Sequence, residues 1–527
     1  MKSIVKKELP HNIYSIDDVD VWRNDFIYPL PLSVDNVIDE KITRLICGEY
    51  CNLENDSKSL FKIASSFLYM ESFAFLKKMM IAFKMKQSPE LTFVMTNHLV
   101  PDEITFSAQS NTFNIYRGET EVTFPAFEIL TRMHKENMNP FWKRMARRVK
   151  WVFIYNSTLS FKRSEIMLYS LNPLAKKFID KNCQCSYLIS TEEIFRKSLK
   201  YVRKGHLKPD ITASVKRFIF NLNETFKEVL ATDIPYSILE KYENNLYDLF
   251  ELIEFDLVQA RGYFEGLRPD VRLYTGTAQY FTRIVSEVVR EQGGKVTGFP
   301  HGGGLSGCIM NQLTFAEFAT CDFFFCNHEK EAQEYRKYPM INDVSFTVQN
   351  GIGESLLNID ISGNEVLDLE KISKVMYVDN SIPGDEYQYS LRSDLVQLDL
   401  QLTIIDILLL LKKEVIFKIK PKARFKGRNF NHLGYYGKKI QYTITPFTQV
   451  LHKADLFVFE AVGSSALYEA MVLTKKPIIL FYSGYPKLTT SFKKVLLKRC
   501  YVINCYEDHR NRLRFDEDEL RKILCLS

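Results

Sequence analysis

A chain of 527 residues with 46% hydrophobic and 25% charged residues is too long for one ordinary core and too apolar for a disordered polymer. The net charge of +6 is modest for this length; it admits an anionic substrate and gives no sign of a general nucleic-acid binder. Ten cysteines without a CxxC pair offer neither a zinc framework nor a disulfide scaffold. The nearest pairs are Cys47/Cys51 and Cys183/Cys185, and reduced thiols are expected. Residues 1–12 lack the apolar core of a signal peptide. The longest apolar run, residues 402–411, is too short to span a bilayer and carries Asp406. A cytoplasmic protein is the expectation, with peripheral contact on the inner face of the cytoplasmic membrane as its extension.

In chain order, residues 61–85 show helical spacing and residues 91–95 read as a strand. Residues 141–151 interleave basic and aromatic side chains, as a lipid-contacting helix or a solvated face over a packed stripe does. From residue 150 the pattern becomes α/β: a strand at 150–155, a helix through Phe178, a strand at 186–189 and a helix opening at Thr191. Long helices are expected near 211–231 and 236–264, then a strand at 272–275, a helix at 278–292, and strands at 295–299, 323–326 and from 345. The polar stretch 352–371 suits a linker. A second series follows, with strands at 375–378, 415–419, 441–444, 456–459, 477–481 and 501–504. Alternation of this kind implies parallel sheets covered by helices. The expected organisation is an acceptor-side α/β domain over 1–355 with a helical N-terminal elaboration, and a Rossmann-like nucleotide-sugar domain over 372–527.

Two strand-end loops mark the first series. Lys295-Val-Thr-Gly-Phe-Pro-His-Gly-Gly-Gly304 runs a strand into His301, Gly302 and Gly303, where exposed backbone amides and an imidazole can meet an anion. Leu273-Tyr-Thr-Gly-Thr277 places Thr275 and Thr277 around another such end. A histidine packed against a tight turn is the plainer account of His301. Glu192 and Glu193 follow the strand 186–189, where one can serve as acid/base toward an acceptor hydroxyl; Ser190-x-x-Glu193 also spells a capping box. Asp270 precedes its strand and so lies at the wrong edge for chemistry. Asn327-His-Glu-Lys-Glu331 reads as a helix start.

The second series ends one strand at Glu460 and opens a helix with Gly463, Ser464 and Ser465, with Glu469 one turn in. Amides and hydroxyls there suit a phosphate, and Glu469 a ribose; an ordinary N-cap explains the same residues equally well. Upstream, Lys418, Lys420 and their neighbours crowd around Pro421 at a strand end, as phosphate ligands or as a solvated basic end.

These motifs carry a resemblance. Strand, Glu460-x-x-Gly-Ser-Ser-x-x-x-Glu-Ala, then Lys476-Pro-Ile-Ile-Leu-Phe481 resembles the donor domain of GT-B glycosyltransferases, above all bacterial capsule and lipopolysaccharide enzymes. The likeness covers roughly residues 270–480, and the His-Gly-Gly-Gly loop resembles that of Kdo and nonulosonate transferases. It implies two doubly wound Rossmann-like domains facing across a cleft. It also implies a phosphate role for Ser464 and Ser465, a ribose role for Glu469, and contact of His301 with the donor sugar. Lys420-Pro421 stands where those transferases carry His-Pro. The implied activity is transfer of Kdo or a nonulosonic acid from a CMP-sugar to a lipid-linked or oligosaccharide acceptor, with no metal or other cofactor and no nucleic acid. The His-Pro departure keeps a UDP- or GDP-hexose transferase as the alternative. A non-catalytic, membrane-associated polysaccharide assembly component is the non-enzymatic one. Retaining and inverting chemistry are not distinguished by these residues.

Overall fold

The structure, a computed structural model, describes residues 13–15, 30–87, 93–95, 165–169, 186–189, 191–195, 207–276, 279–300, 308–309, 311–326, 338–348, 372–379, 394–419 and 432–525, with isolated positions 19, 23, 175, 178 and 336. The expected strand at 150–155, the basic stretch 141–151, the linker 352–371 and the segment 327–331 lie outside these residues, as do Cys183 and Cys185. The chain divides into two compact units, one drawn from residues 39–73 and 124–353, the other from 1–38, 74–123 and 354–527.

The helices Leu32–Cys51 (α1) and Asn55–Gln87 (α2) precede both sheets in the chain. The first sheet has six parallel strands: β1 (Ile166–Tyr169), β2 (Ser186–Leu188), β3 (Arg272–Thr275), β4 (Lys295–Gly298), β5 (Phe323–Cys326) and β6 (Ser345–Val348), in the order β2-β1-β3-β4-β5-β6. Helices α3 (Thr191–Ile194), α4 (Pro209–Leu230), α5 (Tyr236–Tyr263) and α6 (Tyr280–Glu291) belong to the same unit. Most expected elements are present within a residue or two. The exception is β1, which the sequence placed inside a helix running to Phe178. Met167, Leu168 and Tyr169 are all buried, because β1 lies between β2 and β3 with both faces covered. A strand of that kind loses its alternation and cannot be told from a helix turn by period. Helical structure returns at Ala175 and Phe178.

The second sheet has seven strands: β7 (Lys374–Val378), β8 (Glu414–Lys418), β9 (Ile440–Thr443), β10 (Leu456–Phe459), β11 (Ile478–Tyr482), β12 (Tyr501–Glu507) and β13 (Leu513–Phe515). Their order is β9-β8-β7-β10-β11-β12-β13, with only β13 antiparallel. The first six strands therefore run 3-2-1-4-5-6, the Rossmann order. Helices α7 (Asp394–Leu410), α8 (Ser465–Leu473), α9 (Thr490–Arg499) and α10 (Glu517–Cys525) accompany them. The α/β class and the two doubly wound, Rossmann-like sheets expected from the sequence are present.

Packing accounts for two glycines at either end of β4. A Cβ on Gly294 would lie 2.7 Å from methyls of Val271 and Val289, and one on Gly298 would lie 2.7 Å from Cys321 Sγ and Phe324 Cδ2. Gly293, at φ +88, turns the chain after α6. Gly298→Ala is expected to lower stability by about 1–3 kcal/mol through overpacking, read as a fall in midpoint on denaturant unfolding.

Candidate functional site

In the first sheet the strand order reverses between β1 and β3, which makes the carboxyl ends of those strands the switch point. Thr275 ends β3 there, 5% exposed, and its hydroxyl is buried without a hydrogen-bond partner. The floor of this edge is aromatic. Phe178, Phe299 and Phe325 pack with centroids 4.7–5.4 Å apart, and Tyr274 joins Phe178 at 5.7 Å. From β4 the chain is described through Phe299 and Pro300, both buried. His301, Gly302, Gly303 and Thr277 lie outside the described residues. Glu192 and Glu193 are in α3, directly after β2, and nothing is described of their side chains. Tyr169 and Thr191 share a hydroxyl–hydroxyl hydrogen bond that fixes the start of that helix. Asp270 is an exposed partner of Arg268 at the amino edge, as the sequence order requires.

The second sheet reverses order between β7 and β10, and here the described side chains converge. Lys418 ends β8. The residue is only 4% exposed, and among the described residues its ammonium has one hydrogen bond, to the carbonyl of the adjoining Ile419 at 2.7 Å. Burial lowers its pKa, and the carboxylates of Asp379 and Glu469 pull it back up. Glu469, in the first turns of α8, shows the complement: burial raises its pKa and the Lys418 charge lowers it. Lys418 is thus a buried ammonium with spare donors whose charge the two carboxylates favour. Lys420 lies outside the described residues.

Ser464 occupies the N-cap position of α8 and makes no side-chain cap bond. Thr489, the N-cap of α9, accepts from the Phe492 amide at 3.3 Å, so this unit does use side-chain caps where a helix needs one. The hydroxyl at the start of α8 is thus not consumed by the helix. Ser465 and Gly463 are exposed, and a Cβ on Gly463 would meet nothing within 4 Å. Neither packing nor a positive φ demands glycine at 463, unlike at 294 and 293. Gly463→Ala is therefore expected to leave stability within about 0.5 kcal/mol of the parent while weakening any ligand whose phosphate approaches that backbone.

Behind the turn lies a polar cluster around Glu460 whose other members the motifs did not single out. Glu460, 2% exposed, accepts hydrogen bonds from Tyr377 Oη at 2.8 Å, from Gln397 Nε2 at 3.1 Å and from Gln401 Nε2. Gln401 Nε2 also reaches Asp379 at 3.2 Å. Tyr377 stacks on Phe417 at 5.4 Å, and Phe417 meets Tyr442 at 5.5 Å. The Tyr442 hydroxyl is buried without a partner, and burial together with Asp379 raises its pKa. Glu460 is thus turned inward to hold β7, β10 and α7 together. The signal for this was Gln397 and Gln401, one helical turn apart in a leucine- and isoleucine-rich helix. Among the described residues no group of His, Cys, Asp or Glu is placed to hold a metal ion.

No protein-family model matches the chain, and no curated protein matches its sequence. Among solved structures, a UDP-GlcNAc 2-epimerase from Methanocaldococcus jannaschii in complex with UDP-GlcNAc and UDP aligns at 12% identity. That alignment covers 68% of this chain and 91% of the epimerase, with a TM-score of 0.35. The α,α-trehalose 6-phosphate synthase of Burkholderia multivorans aligns at 12% identity over 53% of this chain and 70% of its own, with a TM-score of 0.32. The N-terminal domain of Candida albicans trehalose-6-phosphate phosphatase aligns at 11% identity over 62% and 84%, with a TM-score of 0.30. Likeness at this level carries no functional argument. The class of protein is defined by its own sheets and residues: a two-unit α/β chain with a buried lysine and a Gly-Ser-Ser helix start at the switch point of the Rossmann-ordered sheet.

Proposed function

We propose that the chain is a nucleotide-sugar-dependent glycosyltransferase of bacterial surface-polysaccharide synthesis, holding its nucleotide at the carboxyl edge of β7, β8 and β10. The observation that carries this reading is Lys418, a buried ammonium with one carbonyl partner, beside a helix start whose serine caps nothing. A phosphate would complete both. Lys418 and the amides of residues 463–465 would then stabilise the negative charge on the departing nucleotide, and Glu469 would accept from the ribose hydroxyls. The donor proposed is a CMP-activated acidic sugar, Kdo or a nonulosonic acid, with a UDP- or GDP-hexose as the alternative that Lys420-Pro421 keeps open.

The first sheet would serve a lipid-linked or oligosaccharide acceptor, with Thr275, Thr277, His301, Gly302 and Gly303 near the transferred sugar and Glu192 or Glu193 as acid/base. No metal or further cofactor enters the proposal. Peripheral membrane contact belongs to it as well. Among the described residues no helix is long and apolar enough to cross a membrane.

Thermal unfolding in CMP, UDP and GDP tests the reading. One nucleotide at a hundred times its Kd should add about 2.7 kcal/mol of stability. A response to UDP alone sinks the CMP donor, and no response to any of the three sinks the site. The pKa directions add a pH signature. Affinity should fall on the alkaline side below the ordinary lysine pKa, as Lys418 deprotonates, and on the acid side above the ordinary glutamate pKa, as Glu469 protonates. Calorimetric titration across pH should show both limbs, with Glu469→Gln removing the acid one.

A further inference from the structure

We infer that the amino edge of the second sheet, on the face carrying α8 and α9, docks on an anionic lipid surface. Three strand-entry segments meet there. The turn Leu451–Lys453 leads towards β10, residues 474–477 lead into β11, and the end of α9 leads into β12. They are laced to one another by two cations. Lys476 Nζ donates to the carbonyls of Leu451 at 3.0 Å and Ala454 at 2.5 Å. Arg499 Nε donates to the carbonyl of Met471 at 3.3 Å, and its Nη2 to that of Lys476 at 3.0 Å and to that of Thr474. The register pairs Ile479 with Tyr501, which brings the ends of α8 and α9 side by side.

The surface so assembled is apolar and basic together. Leu473 is 56% exposed, Leu497 60%, Tyr501 39% and Val472 36%. Around them His452, Lys453, Lys475, Lys493, Lys494 and Lys498 are exposed. On α9, Lys493, Lys494, Leu497 and Lys498 form one stripe by helical spacing. The stretch of chain that supplies them, residues 470–506, carries no acidic residue. Between residues 443 and 506 the acids are Asp455, Glu460 and Glu469. Asp455 is engaged by the amides of Ser373 and Lys374 at 3.1 and 2.8 Å, Glu460 is buried, and Glu469, midway along α8, interacts with the Lys418 charge.

Charge complementarity selects an anionic partner, and the composition selects lipid. Exposed leucines and a valine between lysines fit the headgroup–acyl boundary, with Tyr501 at the interface. A polynucleotide would instead call for several stacking rings. This surface is built from residues other than those of the nucleotide site, so it stands whether or not that site binds nucleotide.

The test is co-sedimentation of the full chain with vesicles of phosphatidylglycerol and phosphatidylcholine, against phosphatidylcholine alone, with heparin as a soluble polyanion. Binding to the mixed vesicles that weakens with salt is expected. The triple change Lys493→Glu, Lys494→Glu, Lys498→Glu should weaken it by a hundredfold or more, on the order of tenfold for each lysine removed from an anionic surface. Leu473→Ser with Leu497→Ser should weaken it while leaving its salt dependence unchanged. Thermal unfolding and nucleotide response should match the parent in both variants, since these side chains are exposed and remote from the site. Equal binding to neutral vesicles overturns the inference. So does anionic-vesicle binding unaffected by the lysine changes, or heparin binding without vesicle binding.

Discussion

Replacing Lys418 by methionine is expected to raise the stability of the protein and at the same time abolish its response to nucleotide. The ammonium is buried with one carbonyl partner among the described residues, and its desolvation outweighs the pull of Asp379 and Glu469. Methionine fills similar volume without the charge. A gain of about 1 kcal/mol, or roughly 2–4 °C in Tm for a unit of this size, is the expected scale. Lysine with a lowered pKa in the fold is destabilising at every pH below that value, and the cost fades as pH rises towards the ordinary lysine pKa. The gain should therefore shrink in alkaline solution. Nucleotide affinity should fall about 10- to 100-fold, the usual worth of a charge-assisted phosphate contact. A variant that is less stable and still binds nucleotide would show that Lys418 serves packing alone.

Glu460→Ala is expected to be the most damaging single change at this edge, at about 3 kcal/mol or more. It would strand the Tyr377 hydroxyl and the amides of Gln397 and Gln401 in a buried setting, and leave a cavity beside them. Tyr377→Phe removes one donor from a carboxylate that keeps two, and should cost about 1 kcal/mol. Denaturant unfolding followed by near-ultraviolet circular dichroism separates the two, because the Tyr377–Phe417 stack lies against the cluster. Equal, small losses for both variants would mean that Glu460 is not the hub of the network.

Much of the second sheet was legible because its strands are short apolar runs bounded by turns or charges, such as 456–459 between Asp455 and Glu460. The Gly463–Ser465 turn and Glu469 were legible from the same punctuation. Glu460 was visible as a strand end, but not which way its side chain turns; that is decided by Gln397 and Gln401 on a helix about 60 residues upstream. Tyr442 was hidden for a similar reason, since its value lies in a hydroxyl left unpaired after β9 packs beside β8. In the first sheet β1 was missed because full burial erases strand alternation. Gly293 and Gly294, just before β4, answer to a turn and to van der Waals contact with Val271 and Val289.

The ion network on the far face of α7 bears on how the chain can be divided. Asp399, fully buried, is held by Arg23 at 3.2 Å and by Arg514 at 2.6 Å, while Asp406 takes Arg23 at 2.6 Å and Tyr436 at 2.9 Å. Arg512 in turn donates to the Arg23 carbonyl at 3.2 Å. An arginine from the beginning of the chain thus neutralises carboxylates in a helix nearly 380 residues later. A fragment starting at residue 372 would keep the acids and lose that cation, burying negative charge with half its compensation gone. The Rossmann-ordered half is contiguous as a sheet and discontinuous as a folding unit, so any excised version has to carry its N-terminal strap in cis or be given it in trans.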